Sequence, residues 1–247
     1  MTEDAVNLAA HLGADTVEIY IQGEPELHPE MVTVLADRCR TTGLDVISVH
    51  PYVFGWEHLL FSNYSRQRAW AQRRFVQYLE ICAATGADAY VSHGPPRHHA
   101  VDTDGIPSRR YIDIMRDLVS EATARSVRYC LENVSYGLVR APDDFHSHRD
   151  LIPDLGFVVD FKSAWKAGFR PVDFLTSDLI PDVHHTQISF RDDGRYGLGA
   201  SSPTAAAEDA DIYIALQAAV PHVLEIEATA VDQVADSLAA VRKGLAS

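Results

Sequence analysis

Apolar positions along the chain alternate between two rhythms, a helical spacing of three to four and a β-branched run. Val6, Leu8, Ala9 and Leu12 share one helical face, and Gly13 follows where a left-handed stop belongs. Thr16 to Ile21 is then a strand-like run. The pattern repeats: Met31 to Thr41 is helical, Gly43 stops it, and Leu44 to His50 is extended. Ser65 to Ala84 predicts a long helix with Trp70, Phe75, Leu79 and Cys82 inward and Arg66, Arg68, Arg73 and Arg74 outward. Gly86 ends that helix, and Ala89 to His93 is the next strand. Downstream come a helix over Tyr111 to Arg125 and a strand over Val127 to Leu131. A short helix over Asp143 to Arg149 and a strand over Phe157 to Asp160 follow, then a short helix after Pro171. The remainder reads as a strand over Val183 to Phe190, a helix over Ala205 to Ala219, a strand over Val223 to Glu227 and a helix over Val231 to Leu245.

Strand–helix alternation predicts a parallel sheet with helices outside. Seven strands are recognisable, with no linker or break in composition, so residues 1–247 read as one domain. A doubly wound sheet and a (β/α)₈ barrel both fit the pattern. No GxGxxG follows the first strand and no GxxxxGK[ST] occurs, which removes the main support for dinucleotide-binding and P-loop readings.

Charge narrows the partners. Acids outnumber bases by 35 to 21, a net charge of −14. Without a basic excess to neutralise phosphates, general affinity for nucleic acid or an anionic membrane is not expected. Cys39, Cys82 and Cys130 are far apart and form no CxxC pair, so each reads as a small buried hydrophobe of a reducing compartment. The acidic, amphipathic start is unlike a signal peptide, and no apolar run reaches the roughly 18 residues of a membrane span. A cytoplasmic protein is expected.

The candidate chemistry lies at the strand ends, where parallel α/β folds keep their sites. Those ends read Glu18, His50, His93, Glu132, Asp160, Gln187 and Glu225 or Glu227. Glu132, Asp160 and Glu225 would crowd three carboxylates into one pocket, which calls for a divalent cation or for protons. Carboxylates with one further N or O donor suit Mn²⁺, Mg²⁺, Co²⁺ or Zn²⁺. Two glutamates beside such an ion could move a proton at a carbon next to a carbonyl.

At these residues the sequence resembles the xylose isomerase-like TIM-barrel superfamily. The resemblance rests on Leu131-Glu132-Asn133, Val158 to Gly168, Val223 to Ile226, His50 to Tyr52 and Ser92 to Pro96. It covers almost the whole chain, including the arginine-rich helix before Ser92. It implies a (β/α)₈ barrel. The superfamily includes sugar-phosphate isomerases and epimerases, inosose dehydratases and endonuclease IV. Transferred residue by residue, the resemblance marks Glu132, Asp160, Gln187 and Glu225 as metal ligands, with Glu227 as second choice for the last. Glu132 and Glu225 become the acid/base pair. His50, His93, His185, Lys162 and Arg195 become substrate-binding residues, and Phe54, Trp56 and Trp165 candidate apolar walls.

The chain departs from the family pattern in three places. Gln187 stands where the family has a ligand histidine, and an amide oxygen is a poorer ligand for transition metals, so the metal is expected weak or absent. His185, two residues earlier on the same face, is the compensating candidate. Ser163 stands where endonuclease IV has a further histidine, which argues against a phosphodiesterase site. The opening strand usual in the family is not recognisable, and the gap suggests a barrel covered by a second copy in a homodimer. The expected function is a metal-dependent isomerase or epimerase of a small polyhydroxy or keto compound. A dehydratase, or a lapsed barrel that only binds a small molecule or protein partner, is the alternative.

Overall fold

The computed structural model describes residues 2–52, 55–97, 100–101, 107–192, 195–200, 209–227 and 231–246. Its seven parallel strands follow one another in chain order, β1 (Thr16–Tyr20), β2 (Asp45–His50), β3 (Ala89–Ser92), β4 (Arg128–Glu132), β5 (Gly156–Asp160), β6 (Val183–Ile188) and β9 (His222–Leu224). Doubly wound sheets reverse their strand order at a switch point; strictly sequential order is that of a TIM-type barrel. The fold is therefore the TIM-barrel class, with seven strands recognisable. Among the described residues, β1 pairs only with β2 and β9 only with β6.

The chain divides into two compact units. The first comprises Met1–Leu131 and Asp150–Leu155, the second Glu132–Arg149 and Gly156–Ser247. In the first unit, α1 (Thr2–His11), α2 (Pro29–Thr42), α3 (Ser65–Thr85) and α4 (Arg109–Thr123) alternate with the strands. Gly43 and Gly86 do end their helices, at φ 72° and 83°, angles that a side chain resists. The core of this unit is aromatic. Phe75 packs edge-on against Tyr90 at 5.1 Å and Tyr129 at 5.7 Å, and Trp56 stacks on Tyr78 at 5.2 Å. All three cysteines are buried and free, as their spacing predicts.

In the second unit, Phe145 of α5 (Pro142–Leu151) stacks on Phe157 of β5 at 4.2 Å, and Phe174 closes the cluster edge-on. A short helix, α6 (Phe161–Lys166), leaves β5 directly, where the sequence pattern shows no helix. Asp160 starts it by accepting bonds from the amides of Lys162 and Ser163. The expected strand over Val183 to Phe190 stops at Ile188. Phe190 opens an antiparallel hairpin instead, β7 (Phe190–Asp192) with β8 (Arg195–Leu198). The helix expected over Ala205 to Ala219 is seen as α7 (Ala210–Leu216); residues 205–208 lie outside the described residues. Strand β9 ends at Leu224, earlier than the expected Glu227, and α8 (Val231–Leu245) has its expected bounds. No helix among the described residues is long and apolar enough to cross a membrane.

Candidate functional site

In the first unit the candidate side chains gather at the ends of β2 and β3. His50 closes β2 and is buried, and its ring meets that of His93, just beyond β3, edge-on at 5.0 Å. The Nδ1–H of His50 donates to the Pro51 carbonyl at 2.8 Å. Glu18 lies within β1 rather than at its end and accepts a 2.6 Å bond from Ser48 of β2.

The first unit also holds a carboxyl that sequence reasoning missed. Glu57, in the 3₁₀ turn Glu57–Phe61, accepts bonds from Ser92 Oγ at 2.7 Å and Tyr90 Oη at 3.0 Å. Burial pushes it above the usual carboxylate range, against the opposing pull of His93 and the Ser92 hydroxyl. Its only sequence signal is an acid inside an aromatic and apolar stretch. Trp56, a candidate wall residue, is instead a core side chain stacked on Tyr78. Phe54 lies outside the described residues.

The second unit gathers the carboxylates. Glu132 ends β4 and Asp160 ends β5; both are buried. The amide of Asn133 clamps the backbone of Asp160 from both sides, donating to its carbonyl at 2.9 Å and accepting from its N–H at 2.7 Å. Gln187 of β6 stands in register with Asp160 and is buried as well. Glu225 follows β9, anchored by its N–H to the Ile188 carbonyl at 2.8 Å. Burial first, then the charges of Glu225 and Glu132, drive Asp160 well above the usual carboxylate range. The three carboxyl groups are thus electrostatically linked.

One ammonium answers them. Lys162 Nζ lies 3.1 Å from Glu225 Oε1. Burial acts to lower its pKa, but Glu225, Asp160 and Glu132 together raise it. Glu227 is separate from this pairing: its N–H donates to the Gly197 carbonyl at 2.8 Å, and its side chain lines a neighbouring cavity. Glu225, the first choice on sequence, is therefore the glutamate tied to the cluster.

The remaining candidates have other surroundings. His185 has no exposed surface and meets His184 at 2.8 Å between Nδ1 atoms. Arg195 is 70% exposed and pairs with Asp192 on its own hairpin. The fixed cation of that hairpin is Arg191, which sequence reasoning passed over. Its guanidinium lies 4.8 Å over the Trp165 ring and reaches Asp209 and Asp211 at 3.4 and 3.5 Å. Trp165 therefore packs beneath an arginine. Arg191, Arg195, Asp209, Glu227 and Gln233 border a cavity of about 580 Å³.

Glu225 is paired with an ammonium, both oxygens of Asp160 cap α6, and Gln187 offers a neutral amide. The arrangement suits proton transfer between carboxyl groups beside a fixed positive charge.

The fold has close counterparts among solved structures. The probable 3-DHS dehydratase AsbF of Bacillus anthracis superposes with a TM-score of 0.70 at 13% identity, covering 100% of this chain and 94% of that one. The 3-keto-D-glucoside 4-epimerase YcjR of E. coli gives 0.68 at 18% identity, covering 98% and 94%. D-Psicose 3-epimerase of Clostridium cellulolyticum H10 gives 0.64 at 13% identity, covering 99% and 90%. No curated protein matches the sequence. The family model for the xylose isomerase-like TIM barrel matches residues 6–200. With the sequential strand order and the acids at the strand ends, that match makes the chain a member of the xylose isomerase-like TIM-barrel family.

Proposed function

We propose that this chain is an isomerase or epimerase that moves a proton at a carbon next to a carbonyl. The observation that supports this reading is the linked set of Glu132, Asp160 and Glu225 around the Lys162 ammonium. Glu132 ends β4 and Glu225 follows β9, so each can address a different side of a small substrate. One removes the proton and the other returns it, to the same carbon for epimerisation or to its neighbour for isomerisation. Lys162 offers its positive charge to the enediolate oxygen that forms between the two transfers. The occupant is a small polyhydroxy or keto compound. The net charge of −14 favours it over a nucleic acid.

The experiment is proton exchange. A panel of ketohexoses and 3-keto-glycosides is incubated with the protein in D₂O, and deuterium at the carbon next to the carbonyl is followed by NMR. Exchange is expected for at least one compound, and Glu132→Gln abolishes it. Exchange that persists undiminished in Glu132→Gln removes that residue from the mechanism. The likeness to a probable 3-DHS dehydratase supports a second reading, in which the same proton abstraction is followed by loss of water. Adding 3-dehydroshikimate to the panel and watching for an aromatic product separates the two.

A further inference from the structure

The positive charge at the carboxylate cluster is already supplied by the chain. Lys162 follows Asp160 by two residues, and its backbone N–H donates to Asp160 Oδ1 at 2.9 Å while its Nζ reaches Glu225 Oε1 at 3.1 Å. One residue thus bridges two of the carboxyl groups. Its stem is confined from above. The backbone of β8 passes so close that a Cβ at Gly197 would lie 2.9 Å from Lys162 Cδ and 3.4 Å from Glu227 Oε1. Gly197 also has φ 78°, which favours glycine independently. The hairpin therefore lies directly on the lysine stem.

An ion bound to Glu225 at the usual oxygen distance would sit within about 5 Å of the ammonium nitrogen, where two positive centres repel. A capping carboxylate such as Asp160 keeps lone pairs for a metal, so capping alone does not bar an ion. The ammonium does. The other substitutions point the same way, since Gln187 brings no charge and Ser163 no imidazole.

We propose that Lys162 takes the place of the divalent cation at Glu132, Asp160 and Glu225, so that removing its charge creates a metal site there. The inference uses the same cluster as the isomerase reading but not its reaction. It makes the cluster a metal-independent proton-transfer site whose substrate anion pairs with an amine.

Mn²⁺ binding, read by water-proton relaxation at neutral pH, tests this on the full chain. Wild type is expected to hold no ion that Glu225→Gln removes. Lys162→Met is expected to bind Mn²⁺ about tenfold more tightly or better, the scale on which ligand charge tunes such sites. The gain is expected to vanish in the double variant Lys162→Met/Glu225→Gln. That control separates the cluster from other donors, the His50 and His93 imidazoles included. Tight Mn²⁺ binding by wild type that Glu225→Gln abolishes overturns the proposal, as does a folded Lys162→Met without the gain. Should Lys162→Met fail to fold by circular dichroism, Lys162→Gln serves in its place, and the comparison of wild type with Glu225→Gln stands by itself. The readout is ion binding, so it is decided whether or not deuterium exchange is found.

Discussion

Glu57 in the first unit and Asp160 in the second are almost equally buried, at 4% and 2% exposure, yet they are accommodated by different means. Glu57 is met by side chains, the hydroxyls of Ser92 and Tyr90. Asp160 is met by backbone: two amides at the start of α6 take its oxygens, and Asn133 fixes its own peptide. Side-chain partners can rotate away or change protonation. Backbone partners move only when the fold moves. The first arrangement leaves a carboxyl that can respond to its surroundings, and the second leaves one that orients whatever is built on it. The cluster with Glu132 and Glu225 stands on the second.

The largest effect expected from this difference is at Asn133. Asn133→Ala removes two buried hydrogen bonds and leaves two backbone groups of Asp160 without them. It should cost about 3 kcal/mol in urea unfolding. A cost below about 1 kcal/mol would mean that the clamp does not hold the strand end. Glu57→Gln probes the other arrangement. A carboxyl raised above its ordinary 4.5 stabilises the fold most below that pH and loses the contribution as pH rises through its folded value. The variant, which cannot ionise, should therefore gain on wild type steadily as unfolding is measured above pH 4.5. A constant difference across pH would show that burial does not raise the Glu57 carboxyl.

His148 extends the comparison to a buried base held by backbone, since its Nδ1–H donates to the Asp144 carbonyl at 2.7 Å. Burial lowers it below 6.5, so the unfolded chain takes up the proton first as pH falls. Its contribution is complete above pH 6.5 and declines below it. His148→Asn keeps the donor and should flatten the stability curve there, as thermal melts between pH 5 and 7 would reveal. The smallest effects belong to the hairpin. Arg191→Ala loses the contact with Trp165 and two carboxylates and should cost roughly 1 kcal/mol. Arg195→Ala should cost roughly 0.5 kcal/mol or less, because its ion pair with Asp192 is exposed. Equal losses at the two arginines would erase the distinction drawn between them.

Much of this was legible before any coordinates, and the reason is periodicity. Each parallel strand announces itself as a β-branched run between helical faces, and Gly43 and Gly86 mark their stops because only glycine fits the angle without strain. The acids at the ends of β4 and β5 follow from register alone. Other features have no period. The strands β7 and β8 include Arg191, Asp192 and Arg195, polar residues that also suit a plain turn. Asn133 is one letter after Glu132, and nothing along the chain says that its amide closes on a residue 27 positions away. Glu57 depends on hydroxyls brought from β3, a contact that only folding creates. Lys162 is marked along the chain only through the resemblance, as a substrate-binding residue, and its pairing with Glu225 exists only in the fold.

Strand β9 is three residues long and joins β6 through three register pairs. Local opening draws on the segments with the fewest bonds to break. Detachment of β9 releases the Glu225 anchor on Ile188 and parts the glutamate from Lys162 while β5 and α6 stay folded. In amide hydrogen exchange, the Glu225 N–H would lose protection earlier than that of Asp160. Of the proposed acid/base pair, Glu132 would then belong to a strand paired on both sides and Glu225 to a breathing edge of the described sheet.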